Sequence, residues 1–195
     1  MQIDTNKIKE LRDKTGISIG KCKVALEKAE GDIEKAIKEL RKQGEAQALK
    51  KESRATKEGV IASYIHSNGK IGALVKIYCE TDFVSRNEEF IALAKDIAMQ
   101  VTATDPKYLA PEDVPQKIIK EEIEIEKQAL KKENKPENIV EKILEGKMEK
   151  FKKENSLLTQ TFIKDPDKTI EDLIKDSINK IGENIKIGDF KRFEI

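Results

Sequence analysis

The one histidine, His66, and the two cysteines, Cys22 and Cys79, are the side chains of this 195-residue chain best suited to acid–base or nucleophilic chemistry. A nucleophile needs its base within hydrogen-bond reach. His66 falls in a His66-Ser67-Asn68-Gly69 turn between two strand-like runs, so it could approach Cys79 only from the neighbouring strand. A solvated turn histidine is the simpler reading. The cysteines have no metal-ligand spacing and read as small buried apolar residues. No GxxxxGK[ST] loop is present, and Gly69 and Gly72 do not make a GxGxxG. Carboxylates are abundant, but in so charged a chain they belong to solvated helix faces. Neither catalytic residues nor a metal or cofactor are expected. The chain reads as a protein that works by binding.

A second stretch carries a different kind of chemistry. Cys79-Glu80-Thr81-Asp82-Phe83-Val84 lies where the apolar run Ile71 to Tyr78 ends and before a helix begins near Glu88. Loops held between rigid elements are where function tends to sit. An acid beside a phenylalanine there can form a small projecting probe, one part charged and one part apolar. Buried phenylalanines and capping aspartates are common, however. On the residues alone, Thr81 and Asp82 as turn or cap residues and Phe83 as core is the simpler alternative.

The elements that must position these residues follow from periodicity. Ile8 and Leu11, then Cys22, Ala25, Leu26 and Ala29, then Ile33, Ala36, Ile37 and Leu40 mark three short helices. Thr15-Gly16 and Gly31-Asp32 separate them, Ser18 and Asp32 are cap residues, and Gly44 is expected to end the third. Three such helices sharing an apolar side make a bundle of ubiquitin-associated type, usually a docking module. A polar, Lys-rich helix or linker follows. Residues 59–66 and 70–78 read as strands around Asn68-Gly69, a strong hairpin signal. Phe90 to Val101 form a helical stripe that should cover one face of that hairpin. From Pro115 to Lys153 the apolar positions narrow to a stripe, and Asn134-Lys135-Pro136 reads as the tip of an antiparallel helical hairpin. Ile170 to Ile181 read as a last helix and Ile185 to Ile195 as a last strand. The sum is an α+β fold: a three-helix module over 1–45, a helical linker over 46–57, and a sheet-containing core over 58–195 with a solvated arm at about 115–153.

Bulk properties narrow the class. The chain is 38% charged and 37% hydrophobic, as in a soluble globular protein rich in surface helix. Thirty-eight basic residues against 37 acidic ones leave a net charge of +1, which argues against a general nucleic-acid binder. Lys50 to Lys57 and Lys147, Lys150, Lys152 and Lys153 are the candidate basic surfaces, but they lack interleaved aromatics for base stacking. Two distant cysteines, no apolar leader and no membrane-length apolar run point to a reducing cytoplasm. Richness in Lys, Glu and Ile fits a thermophile and a biased genome equally.

These pieces resemble a family. Leu11-Arg12, Thr15-Gly16 and Lys23-Val24-Ala25-Leu26, with Gly31-Asp32 following, resemble the N-terminal motif of bacterial elongation factor Ts. Cys79 to Arg86 resembles its second and more specific motif. Glu58-Gly59, Gly146, Leu158 to Asp165 and Gly182-Glu183-Asn184 agree in order, so the resemblance runs from about residue 6 to the C-terminus, as a short form of the factor. The departures are Ile19-Gly20-Lys21 where Met-Met-Asp is usual, Lys76 for a common glutamate, Tyr78 for a common asparagine and Asp189 for a common arginine.

The resemblance implies a guanine nucleotide exchange factor for the GTPase elongation factor Tu. Arg12 and Ile19 would dock on the nucleotide-binding domain. Thr81, Asp82, Phe83 and Val84 would enter near the magnesium and phosphates, with Phe83 as a wedge and Asp82 disturbing the Mg²⁺ network. It further implies a homodimer built through the sheet domain, and an arm that adds contact to the GTPase. A ribosome- or RNA-associated binding protein is the alternative, and a metal-dependent hydrolase built on scattered carboxylates a more distant one.

Overall fold

The computed structural model describes residues 4–131 and 137–195. Helices α1 (Thr5–Thr15), α2 (Ile19–Lys28) and α3 (Ile33–Lys51) form the N-terminal bundle. Asp4 and Asp32 cap α1 and α3 by accepting the Asn6 and Lys35 backbone N–H groups, and Gly16 ends α1 in a left-handed conformation. Ile8, Leu11, Ile17, Cys22, Ala25, Leu26, Ala36 and Leu40 make a separate small core.

Gly44 does not end the third helix. It is buried inside α3, which runs on to Lys51. A Cβ at this position would stand 3.2 Å from Asn179 Nδ2, so the missing side chain is what lets the helix pack closely on a later one. Close tertiary packing outweighs the ~1 kcal/mol that glycine costs a helix.

Strands β1 (Glu58–Ile65) and β2 (Ile71–Cys79) form the expected antiparallel hairpin, with Ile65 opposite Gly72 and Glu58 opposite Cys79. Its turn is made by the Gly69 N–H donating to the His66 carbonyl, so Ser67 and Asn68 are the central residues and Gly69 the left-handed exit. Two helices follow, α4 (Asp82–Ser85) and α5 (Glu88–Thr104). Phe90, Leu93, Ala94, Ile97, Ala98 and Val101 of α5 are buried, and α5 packs on both strands of the hairpin.

Helices α6 (Gln116–Lys131) and α7 (Glu137–Asn155) pack against each other, with Ile119 and Met148 in one apolar cluster and Lys147 pairing with Glu126. The tip expected at Asn134-Lys135-Pro136 lies outside the described residues. Strands β3 (Thr161–Phe162) and β4 (Asp165–Thr169) form a small hairpin that periodicity does not announce. Tertiary contacts hold it. Fully buried Gln100 accepts the Ile163 N–H at 3.0 Å and donates to the Thr161 carbonyl at 3.1 Å.

Helix α8 (Ile170–Ile181) begins with a capping box between Thr169 and Asp172, and β5 (Lys186–Glu194) completes a three-stranded sheet in the order β1-β2-β5. The arrangement is α+β with a small antiparallel sheet. One face of the sheet carries the main core, with α5 and α8. On the other, Ile61, Ile65, Leu74, Tyr78 and Phe193 are exposed. Among the described residues no helix is long and apolar enough to cross a membrane.

Candidate functional site

His66 and Cys79 sit at opposite ends of the β1–β2 hairpin. The register places them eight residue steps apart, about 26 Å at the rise of a strand. Cys79 is fully buried, and burial pushes its thiol up to about 11. It stays protonated at neutral pH, and its Sγ donates to the Thr81 carbonyl at 3.2 Å. Among the described residues no group of His, Cys, Asp and Glu is arranged to hold a metal ion.

Beyond Cys79 the chain makes one helical turn, α4, instead of an open loop. Thr81 is its N-cap, and the Ser85 N–H closes the turn on the Thr81 carbonyl at 3.2 Å. Consecutive residues on a helix point about 100° apart. Val84 turns inward and packs partly on the main core, so Phe83 turns outward and is 83% exposed. Phe83 is therefore not a core residue. Asp82 is half-buried and pairs with Arg86 at 3.1 Å, one turn on along an exposed face. Such a pair contributes little to stability and opens easily for a partner.

Carboxylates from two directions hold this turn. Glu183 accepts the Glu80 and Thr81 N–H groups, both at 3.0 Å, and the Thr81 hydroxyl at 2.6 Å. In return Glu80 accepts the Asn184 N–H at 2.7 Å. Asn184 donates from its side chain to the Arg54 carbonyl at 3.0 Å, tying in the segment that leaves α3.

The same end of α8 mounts the N-terminal bundle. Lys21 donates to Asn179 Oδ1 at 2.9 Å, and Lys51 to the Gly182 carbonyl at 2.6 Å. The Gly16 turn lies against Lys180, where an added Cβ would stand 2.5 Å from Lys180 Cε. Lys180 in turn pairs with Glu89, in the first turn of α5, at 2.7 Å. The turn between Arg12 and Ile19 and the start of α5 just beyond the Phe83 turn therefore meet through one lysine. Arg12 is exposed, Ile19 is 55% exposed, and the space beside Gly20 is open.

The sequence departures also find places. Lys21 works inside the molecule, between bundle and α8. Lys76 and Asp189 face each other across β2 and β5 and pair at 3.1 Å. Tyr78 lies over Gly188, where a Cβ would stand 2.5 Å from its ring. Glu183, the residue that holds the Phe83 turn, lies in the Gly182-Glu183-Asn184 stretch that carries part of the resemblance, just past the left-handed end of an amphipathic helix, but no local pattern gives it that role.

An exposed phenylalanine on a braced turn, beside a three-helix bundle, describes a binding protein that presents a preformed surface to another macromolecule. The family model described as "Elongation factor TS" matches residues 5–195. Elongation factor Ts of Thermosipho melanesiensis is 54% identical over 193 residues, covering 99% of this chain and 98% of that protein. That of Thermodesulfovibrio yellowstonii is 53% identical, covering 100% of this chain and 97% of the relative, and that of Carboxydothermus hydrogenoformans is 53% identical, covering 99% and 89%. The chain belongs to the elongation factor Ts family.

Proposed function

We propose that this protein is the guanine nucleotide exchange factor of elongation factor Tu, acting in the cytoplasm by binding and not by covalent catalysis. The observation that carries this reading is Phe83, 83% exposed on a turn held by Glu183 and Val84. An exposed aromatic on rigid backbone loses little conformational entropy when it enters a partner's pocket. Thr81, Asp82, Phe83 and Val84 form the probe. Phe83 wedges between partner side chains, and Asp82, released from Arg86, disturbs the water and carboxylate network around Mg²⁺. Arg12 and Ile19 dock the bundle, read as a ubiquitin-associated type of module over residues 1–45, on the nucleotide-binding domain. Residues 46–57 connect it to the core over 58–195, and the arm at about 115–153 adds contact.

Exchange of this kind is reciprocal coupling. A factor that lowers nucleotide affinity has its own affinity lowered by nucleotide in the same ratio. A second copy is proposed to cover the outer sheet face. Ile61, Ile65, Leu74, Tyr78 and Phe193 are exposed there around the Lys76–Asp189 pair, and Ile65 and Phe193 flank Gly72 around a groove of about 330 Å³. Stopped-flow release of a fluorescent GDP from elongation factor Tu tests the function. Release should accelerate with factor concentration and saturate, and an unchanged rate would overturn the reading.

A further inference from the structure

The turn that presents Phe83 has little reason to keep its shape alone. A four-residue helix does not persist in isolation. Val84 anchors it from the core side. From the other side come the three hydrogen bonds to Glu183, two from backbone N–H groups at 3.0 Å and one from the Thr81 hydroxyl at 2.6 Å. The left-handed Gly182 (φ 95°) ends α8 and turns the chain so that Glu183 meets the end of β2. Glu183 is itself fixed there. Lys51 holds the Gly182 carbonyl, and Glu80 holds the Asn184 N–H.

We propose that Glu183 is the positioning residue of the Phe83 probe: its carboxylate sets the orientation of α4, and so decides whether Phe83 is aimed when the bundle docks. This rests on the exchange-factor reading above. Glu183 acts through Thr81 and Glu80 and need not touch the partner. Its loss lowers the fraction of molecules with Phe83 correctly placed while leaving Arg12 and Ile19 intact. The effect therefore falls on the maximal rate of nucleotide release and not on the encounter.

Release of a fluorescent GDP from elongation factor Tu is followed over a range of factor concentrations, with hydrogen exchange of the free factor in parallel. Glu183→Ala should lower the rate at saturating factor by about tenfold or more. The concentration giving half the maximal rate should move by less than about threefold. Glu183→Gln can still accept both N–H groups on its amide oxygen and donate to the Thr81 hydroxyl, so it should stay within about threefold of the unsubstituted protein. In the free factor, the Glu80 and Thr81 amide protons should exchange faster in Glu183→Ala and remain protected in Glu183→Gln. An unchanged saturating rate in Glu183→Ala overturns the proposal. Equal loss in both variants overturns it too, since the charge and not the geometry would then matter. Failure of the exchange-factor reading looks different: the unsubstituted protein does not accelerate release, or Phe83→Ala releases GDP normally, and the Glu183 proposal falls with it.

Discussion

The outer sheet face and the Phe83 turn both open apolar side chains to solvent, and they are built in opposite ways. The outer sheet face is broad and flat. Its side chains are exposed because β-strand alternation sends every second residue outward, and no element among the described residues crosses over them. The Phe83 turn is a single side chain on one helical turn, braced by a carboxylate clamp and by Val84. A broad face suits a partner of matching shape, and the second copy proposed above would supply one. A single braced aromatic suits insertion into a pocket that another protein already has. The first gains from area, the second from placement.

That contrast can be broken at either surface. The largest effect is expected for Leu74→Glu, which puts a charge at the centre of the sheet face. Self-association should weaken by about 100-fold or more, read by sedimentation, because a charge is costly to bury even with Lys191 opposite it on β5. The monomer should melt close to the parent, since Leu74 is not part of the core. Phe83→Ala comes next. Losing one buried aromatic in the complex should slow maximal GDP release roughly 10- to 100-fold, with an unchanged melting temperature. A melting temperature that dropped sharply would return Phe83 to the core.

Ile19→Ala is expected to weaken binding to elongation factor Tu by about 3- to 10-fold in titration calorimetry while sparing the maximal rate. It is a cleaner test than deleting residues 1–50, because α3 packs on α8 and its removal would uncover that helix. The smallest effect concerns the mount itself. Arg41 pairs with Asp172 at 2.7 Å, joining α3 to the start of α8. Burial works to raise the Asp172 carboxyl, but the Thr169 amide and Arg41 outweigh it and hold the group below its ordinary value. Its contribution is therefore present above the unfolded value of about 3.9 and is lost as pH falls through the lower folded one. Asp172→Asn should lower the melting temperature by about 2–4 °C at pH 7, and the difference should close towards pH 3.

Much of the fold was legible because it follows from local rules. The cap at Asp32, the stop at Gly16, the hairpin and the limits of α8 all rest on contacts within a few residues, whereas Ser18 stands at the N-cap of α2 without a side-chain bond. Gly44 was misread for the complementary reason. A helix former's propensity is local, whereas the contact with Asn179 that carries α3 past it comes from 135 residues away in the chain. The β3–β4 hairpin escaped notice likewise, since Gln100 holds it and its own residues do not alternate.

The sequence by itself determined the family, the α+β class and the Thr81 to Val84 stretch as the place to look. All are carried by residue order and short-range periodicity. Whether Phe83 was buried or exposed could not be read there, because adjacent helical residues are equally able to face in or out until something anchors one of them. Val84 against the core and Glu183 at the Thr81 amide made that choice, and both act across distances in sequence that only the folded chain closes.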